Sequence, residues 1–178
     1  MLKILSSKAF AIIVDLDGTL LDGCHRHHYV TEDIKDFDTF RREAVNDRIN
    51  KKIRTLVNFI YRFTPIKVIL FTGRDTKVRY NTIKCLKRHG VLYDHLFMRR
   101  DGDNSPDSYF KSNYFLKYIQ PNFTVLLAID DRPSVVEIFK RLGVPCIKVK
   151  NPNPESYEKL ARAFDNRQEV VEREKEPA

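Results

Sequence analysis

Asp15-Leu16-Asp17-Gly18-Thr19-Leu20 puts two carboxylates two residues apart at the end of an apolar run that begins at Ala9. Gly18 lets the chain turn away sharply, which exposes both acids. One carboxylate can attack phosphorus while the other handles a proton, a division of labour that suits phosphoryl transfer. Two later apolar runs end in polar groups of the same kind. Ile66–Phe71 runs into Thr72-Gly73-Arg74, and Thr124–Ile129 runs into Asp130-Asp131-Arg132. If these three ends lie at one edge, Asp15, Asp17, Asp130 and Asp131 repel one another, and a divalent cation is the usual remedy. Oxygen ligands without His or Cys at the strand ends point to Mg²⁺.

The elements that must bring those ends together are legible as well. Short apolar runs without polar alternation fit strands buried on both faces. Ala9–Asp15, Ile66–Phe71, Thr124–Ile129 and Pro145–Val149 have that form, with Leu96–Met98 as a short fifth. Helical patterns lie between them at Thr76–His89, closed by Gly90, at Ser105–Ile119 and at Pro133–Leu142, closed by Gly143. Strands alternating with helices predict an α/β fold, a Rossmann-like parallel sheet of about five strands flanked by helices. Right-handed crossovers gather the strand ends at one edge, where open parallel sheets bind ligands. Thr31–Phe63 is too long for a loop and carries Val45, Ile49, Ile53, Leu56, Val57 and Ile60 at helical spacing. It reads as a small helical cap inserted at about residues 24–63 of a single domain spanning 1–178. A further helix is expected from Pro154 to about Val170, with a frayed end from Glu172.

The chain has 178 residues, a net charge of +8 and a pI of about 9.4. With 42% hydrophobic and 31% charged residues it can fill a core, which excludes a mostly disordered chain. No apolar run approaches the ~20 residues of a membrane span, and Met1–Phe10 reads as the approach to a strand rather than a signal peptide. Cys24, Cys85 and Cys146 are far apart and odd in number, so reduced thiols and a cytoplasmic setting are expected. The basic balance favours an anionic partner without naming it.

The ordered motifs resemble the haloacid dehalogenase superfamily: Asp15-Leu-Asp-Gly-Thr-Leu20, then Thr72, Lys111 and Asp130-Asp131, over about Ala9–Val149. A narrower likeness is to the 3′-phosphatase domain of phage polynucleotide kinase-phosphatases. It rests on Met98-Arg99-Arg100, Asp107-x-x-x-Lys111, Thr72-Gly73-Arg74 and Arg26. The resemblance implies a Mg²⁺-dependent phosphomonoesterase that cleans 3′-phosphates from polynucleotide ends, in a host cytoplasm if phage-encoded, and leaves room for a kinase or ligase partner. It implies Asp15 as nucleophile, Asp17 as acid and base, and Thr72 and Lys111 as phosphate-stabilising groups. Arg26, Gly73, Arg74, Arg99 and Arg132 would contact substrate, with Asp107 holding Lys111 one helical turn away. The metal would lie among Asp15, the Asp17 backbone, Asp130 and Asp131, with the direct ligand of the last two left open. Arg99 and Arg132 read equally as ion-pair partners of Asp103 or Asp107.

No G-x-x-x-x-G-K-[ST] string occurs, so no kinase half is expected here. His25, His27 and His28 read as a polar loop ahead of a second metal or a substrate contact. Arg41, Arg42, Arg48, Lys51, Lys52, Arg54 and Arg62 make the insertion basic, either to track a nucleic-acid backbone or as a solvated helix face partly matched by Glu43 and Asp47. Tyr29, Phe37, Phe40 and Tyr61 read as core before base-stacking groups. A nucleotidase for free nucleoside monophosphates is the nearest rival, and a non-catalytic nucleic-acid-binding module the other. The acid cluster speaks against the module. Oligomeric state is not encoded in any pattern found.

Overall fold

The computed structural model describes residues 8–151, 153–160 and 162. The elements in chain order are β1 (Ala9–Val14), β2 (Leu21–Asp22), α1 (His28–Thr31), α2 (Phe37–Arg42), β3 (Arg48–Ile49), α3 (Lys51–Phe63), β4 (Lys67–Asp75), α4 (Arg79–Arg88), β5 (His95–Arg99), α5 (Asp107–Tyr114), β6 (Phe123–Asp130), α6 (Pro133–Arg141) and β7 (Cys146–Lys148). Five strands form one parallel sheet in the order β5-β4-β1-β6-β7. Residues 154–160 are helical. The expected approach at Met1–Phe10 lies outside the described residues up to residue 7, as do position 161 and everything from 163 in the expected tail helix and frayed end.

β1 is central, so its side chains alternate between two buried layers. Ile12 and Val14 join Val57, Val68, Leu70, Cys85 and Leu86 on the face covered by α3 and α4. Ala11 and Ile13 join Phe71, Phe110, Phe115, Val135 and Phe139 on the face covered by α5 and α6. The sequence predicts strands from alternation-free runs, and the structure has them within a residue or two, with one informative exception. β4 does not stop at Phe71. It continues to Asp75 through a bulge, because Thr72 pairs with Met98 while Asp75 pairs with Arg99, leaving Gly73 and Arg74 between. Bulges of this kind re-aim side chains at sheet edges.

The segment inserted between β1 and β4 divides into two parts. α3 lies on the sheet, with Val57 fully buried and Ile53 and Ile60 packed against the core. Asn50 caps it, accepting from the N–H groups of Lys52 and Ile53. Before α3, β2 and β3 pair antiparallel and carry α1 and α2 across the carboxyl ends of the strands. Asn50 also donates from its backbone to the Leu20 carbonyl (2.9 Å) and from Nδ2 to the Thr19 carbonyl (3.1 Å), which ties this arm to the first acidic loop.

The layer below the site depends on aromatic packing. Phe139 is 1% exposed and meets Phe115 edge-on at 5.8 Å. Replacing Phe139 with Ala is expected to cost about 3–5 kcal/mol, the usual penalty for emptying such a position. Urea unfolding of the full chain measures it, and a loss under about 1 kcal/mol would contradict this account of the layer.

Candidate active site

Lys111 is 1% exposed and surrounded by acids. Its Nζ donates to Asp15 Oδ1 at 2.6 Å and Asp130 Oδ2 at 2.7 Å, and lies 3.6 Å from Asp107 Oδ2. Asp15 follows β1, Asp130 ends β6, and Asp107 and Lys111 face the same way one turn apart on α5. Burial opposes the ammonium charge, but Asp130, Asp15 and Asp107 outweigh it and hold Lys111 protonated well above the ordinary lysine range. Burial raises the Asp15 pKa. Lys111 pulls it down, but Asp130, Asp131 and Asp107 push it further up.

Asp17 sits in a different field. Arg74 grips it with two hydrogen bonds of 2.7 Å, from Nε to Oδ2 and from Nη2 to Oδ1, and Arg26 Nη2 adds a third at 3.0 Å. Burial works against its charge, yet Arg74 and Arg26 hold the carboxyl well below the usual carboxylate range. Both arginines also hold Asp47, which is fully buried. Arg26 donates to it at 2.7 and 3.1 Å, and Arg74 makes a short bond through Nη2. Two guanidiniums and two carboxylates thus form a closed, neutral unit beside Asp15.

Asp15, Asp130 and Asp131 bring carboxylate oxygens within 4.8 Å of one another. Asp131 Oδ2 accepts from Asn151 Nδ2 at 2.8 Å, while its buried Oδ1 has no hydrogen-bond partner. An orphaned oxygen beside two more carboxylates is the donor set of a hard, oxygen-seeking cation. Gly18, at φ +85°, passes so close that a Cβ there would stand 2.3 Å from Asp131 Oδ2.

The remaining sequence candidates converge on the same place. Thr72 is fully buried, and its hydroxyl accepts from the Arg74 N–H at 3.2 Å. Gly73 offers its carbonyl to Arg99 Nε at 3.1 Å, and a Cβ there would collide with Asp107 Oδ1 at 2.3 Å. Arg99 also donates to Asp107 at 2.9 Å, and through Nη1 to carbonyls of the loop from Asp103 to Ser105. Arg132 is the most exposed of these cations, its side chain 35% accessible, 3.5 Å from Asp107. A cavity of about 330 Å³ opens above Asp15 and Asp17. Phe37, Phe40 and Arg41 of α2 roof it, with the loop around Asn104 opposite.

Two expectations turn out differently in physical detail. Arg26 and Arg74, read as candidate substrate clamps, donate to Asp17 and Asp47, and Arg74 also to Thr82. Asp47, read as a partial partner on a solvated face, is the most buried acid of the insertion. Its signal was indirect: two arginines beside one acid need a second counter-charge, and Asp47 lies just before the Asn50 cap. Asn151 gave no signal beyond its Asn-Pro context. The three histidines do not converge: His25 stands 3.9 Å from Asp47, His28 lies against Tyr29 with the rings tilted by 40°, and His27 is buried.

Residues 9–153 match the family described as the polynucleotide kinase PNKP phosphatase domain. The chain belongs to that family. It is a phosphatase of the haloacid dehalogenase superfamily, as the motif order implied. A solved chain titled "Structure of the Pnkp1/Rnl/Hen1 RNA repair complex" is 29% identical with a TM-score of 0.67, covering 83% of this phosphatase and 44% of that chain. A putative bifunctional polynucleotide kinase/RNA ligase of Autographa californica nuclear polyhedrosis virus is 26% identical over 77% of this chain and 19% of that protein. The phosphatase therefore spans less than half of these relatives. A hydrolase from Streptococcus pneumoniae TIGR4, 15% identical with a TM-score of 0.52, shares the fold. Among the described residues, no helix is long and apolar enough to cross a membrane.

Two outcomes follow from this geometry. Asp47→Asn removes a counter-charge from two buried guanidiniums and is expected to destabilise the phosphatase by about 3–5 kcal/mol; urea unfolding near neutral pH checks it. Burial, helped by Arg26, pushes His27 down to about 4. The unfolded chain takes up that proton below about pH 6.5. Stability is thus complete above that pH and drains away as pH falls toward 4. His27→Asn should flatten this slope, and parallel slopes for the two proteins would refute the assignment.

Proposed function

We propose that this phosphatase removes 3′-phosphates from polynucleotide ends, working as a single domain with the arm over residues 24–49 as its cap. The observation that carries the reading is the pairing of Asp15, bonded to Lys111 at the cavity floor, with Asp17, held separately by Arg26 and Arg74. Two adjacent carboxylates in opposed electrostatic environments are suited to two different roles.

In this reading an Asp15 oxygen attacks phosphorus and the P–O3′ bond breaks. Asp17 gives its proton to the departing oxygen. A water then attacks the aspartyl-phosphate, Asp17 takes its proton, the bond to Asp15 breaks, and inorganic phosphate leaves. Asp17 lies so low in pKa that it must draw its proton in the loaded site, where an incoming phosphate competes for Arg26 and Arg74. Lys111 counters the upward pull on the Asp15 pKa and offsets the charge of the transferring group, with the Thr72 hydroxyl placed to meet one of its oxygens. Arg132, with donors to spare, is positioned to take a phosphate oxygen, while Arg99 holds Asp107 in place and the bare Gly73 leaves room for it. Asp15, Asp130 and Asp131, together with the Asp17 backbone, would hold Mg²⁺. The ion would supply charge neutralisation and alignment.

Polynucleotide ends are favoured by family membership and by the repair complexes and kinase/ligase fusion among the relatives, which also suggest RNA and a kinase or ligase partner. Free nucleotides are the second reading, favoured by the roofed cavity and by a mouth where Arg41 faces Asp38 and Asp75 and Lys77 faces Asp101. That rim is not the open basic groove expected for tracking a long strand.

Phosphate release with Mg²⁺ separates the two. A 3′-phosphorylated oligonucleotide is compared with its 5′-phosphorylated counterpart and with free 3′- and 5′-nucleotides. The expected result is preference for the 3′-phosphorylated oligonucleotide by at least about tenfold, with activity abolished in Asp15→Asn. Preference for free nucleotides would move the enzyme to nucleotide turnover. Full activity in Asp15→Asn would overturn the mechanism.

A further inference from the structure

Beyond β7, residues 151 and 153–160 return across the site rather than leaving it. Asn151 bonds Asp131. Ser156 Oγ lies 2.8 Å from His27 Nδ1. The Tyr157 ring meets the His27 ring edge-on at 4.5 Å, and its hydroxyl accepts from the Gly23 N–H at 3.0 Å and faces the Leu21 carbonyl at 3.4 Å. Tyr157 is 6% exposed, and Leu160 lines the catalytic cavity.

Gly23 is the point where these contacts reach the chemistry. A Cβ on Gly23 would stand 2.9 Å from Arg26 Nη2 and 3.0 Å from Nε. The guanidinium therefore rests on the bare Gly23 backbone, with the Phe40 ring 4.3 Å from its Cζ. The Gly23 amide is fixed by Tyr157, and the Nη2 that rests there is the atom that donates to Asp17.

We propose that Tyr157 is a positioning residue: by pinning the Gly23 amide, it sets where the Arg26 guanidinium stands and thereby how Asp17 is presented to the leaving oxygen. This rests on the reading of Asp17 as the acid. The side chain that does it comes from the far end of the domain, 134 residues from Gly23. The described segment after β7 is then a working part of the site and not a trailing connector.

The test uses leaving groups. A nucleoside 3′-phosphate expels an alkoxide, which needs a proton, whereas para-nitrophenyl phosphate expels a stabilised phenolate, which does not. The value of kcat/KM reports the first, acid-assisted half-reaction. For Tyr157→Phe in the full chain, kcat/KM for the nucleoside 3′-phosphate should fall about tenfold, a fraction of what general acid catalysis supplies. The value for para-nitrophenyl phosphate should change less than about twofold. Gly23→Ala crowds the same guanidinium without touching Tyr157 and should give the same selective loss.

Asp17→Asn separates the two layers of the argument. If it shows no leaving-group selectivity, the reading of Asp17 fails. If it does while Tyr157→Phe and Gly23→Ala are unselective, the positioning role fails. Equal losses on both substrates in Tyr157→Phe would mean that the tyrosine only supports the fold, and would likewise overturn the proposal.

Discussion

Concentrating negative charge at the end of a hydrophobic sheet is the constraint around which the rest is built. Asp15, Asp107 and Asp130 surround one ammonium with Asp131 beside them, and all of it lies at the carboxyl edge of strands whose interiors are apolar. A lone buried carboxylate would simply protonate. Keeping several ionised requires cations placed as accurately as the acids. α5 meets that need by presenting Asp107 and Lys111 on one face, anchored through Phe110 in the core beneath. The parallel sheet supplies the other half, because its crossovers deliver Asp15 and Asp130 from adjacent strands to the same height.

The second charged unit obeys the same rule with the signs rearranged. Asp17 and Asp47 balance Arg26 and Arg74, so a neutral cluster sits against a cluster that is acidic even with Lys111 in place. The boundary between them runs between two residues, Asp15 and Asp17, that are separated by one leucine. Their pKa values are driven in opposite directions for that reason. The β4 bulge matters here, since it turns Arg74 toward Asp17 while leaving Thr72 in register with β5.

How much of this could be read from the sequence follows from the range of the interactions. Strands, helices and the strand-end acids were legible because burial on both faces and turn chemistry are local and periodic. The Asp107–Lys111 pair was legible because it spans one turn. The arginine partners were not. Arg26 and Arg74 attract attention as cations near a phosphate site, yet their actual partner, Asp47, lies 21 and 27 positions away in a stretch dominated by positive charge. Periodicity carries no information about such contacts. Likewise α3 has the spacing of an amphipathic helix, and the sequence grouped it with the cap. Only its packing on Val68 and Leu70 shows that it covers the sheet. Tyr157 and Asn151 lie beyond the recognisable motifs altogether.

The depth of Asp15 has a topological consequence. Asp15 is 5% exposed at the floor of a cavity that α2 covers from one side and the loop around Asn104 from the other. For a phosphate to reach it at that depth, the group would have to project from its molecule, tip first. A phosphate flanked by chain on both sides would have to feed two strands of backbone through the same opening. In the function proposed above, this depth would favour a terminal monoester over an internal diester before any charge is read. An end-processing enzyme built this way would need no dedicated device to spare intact polymer.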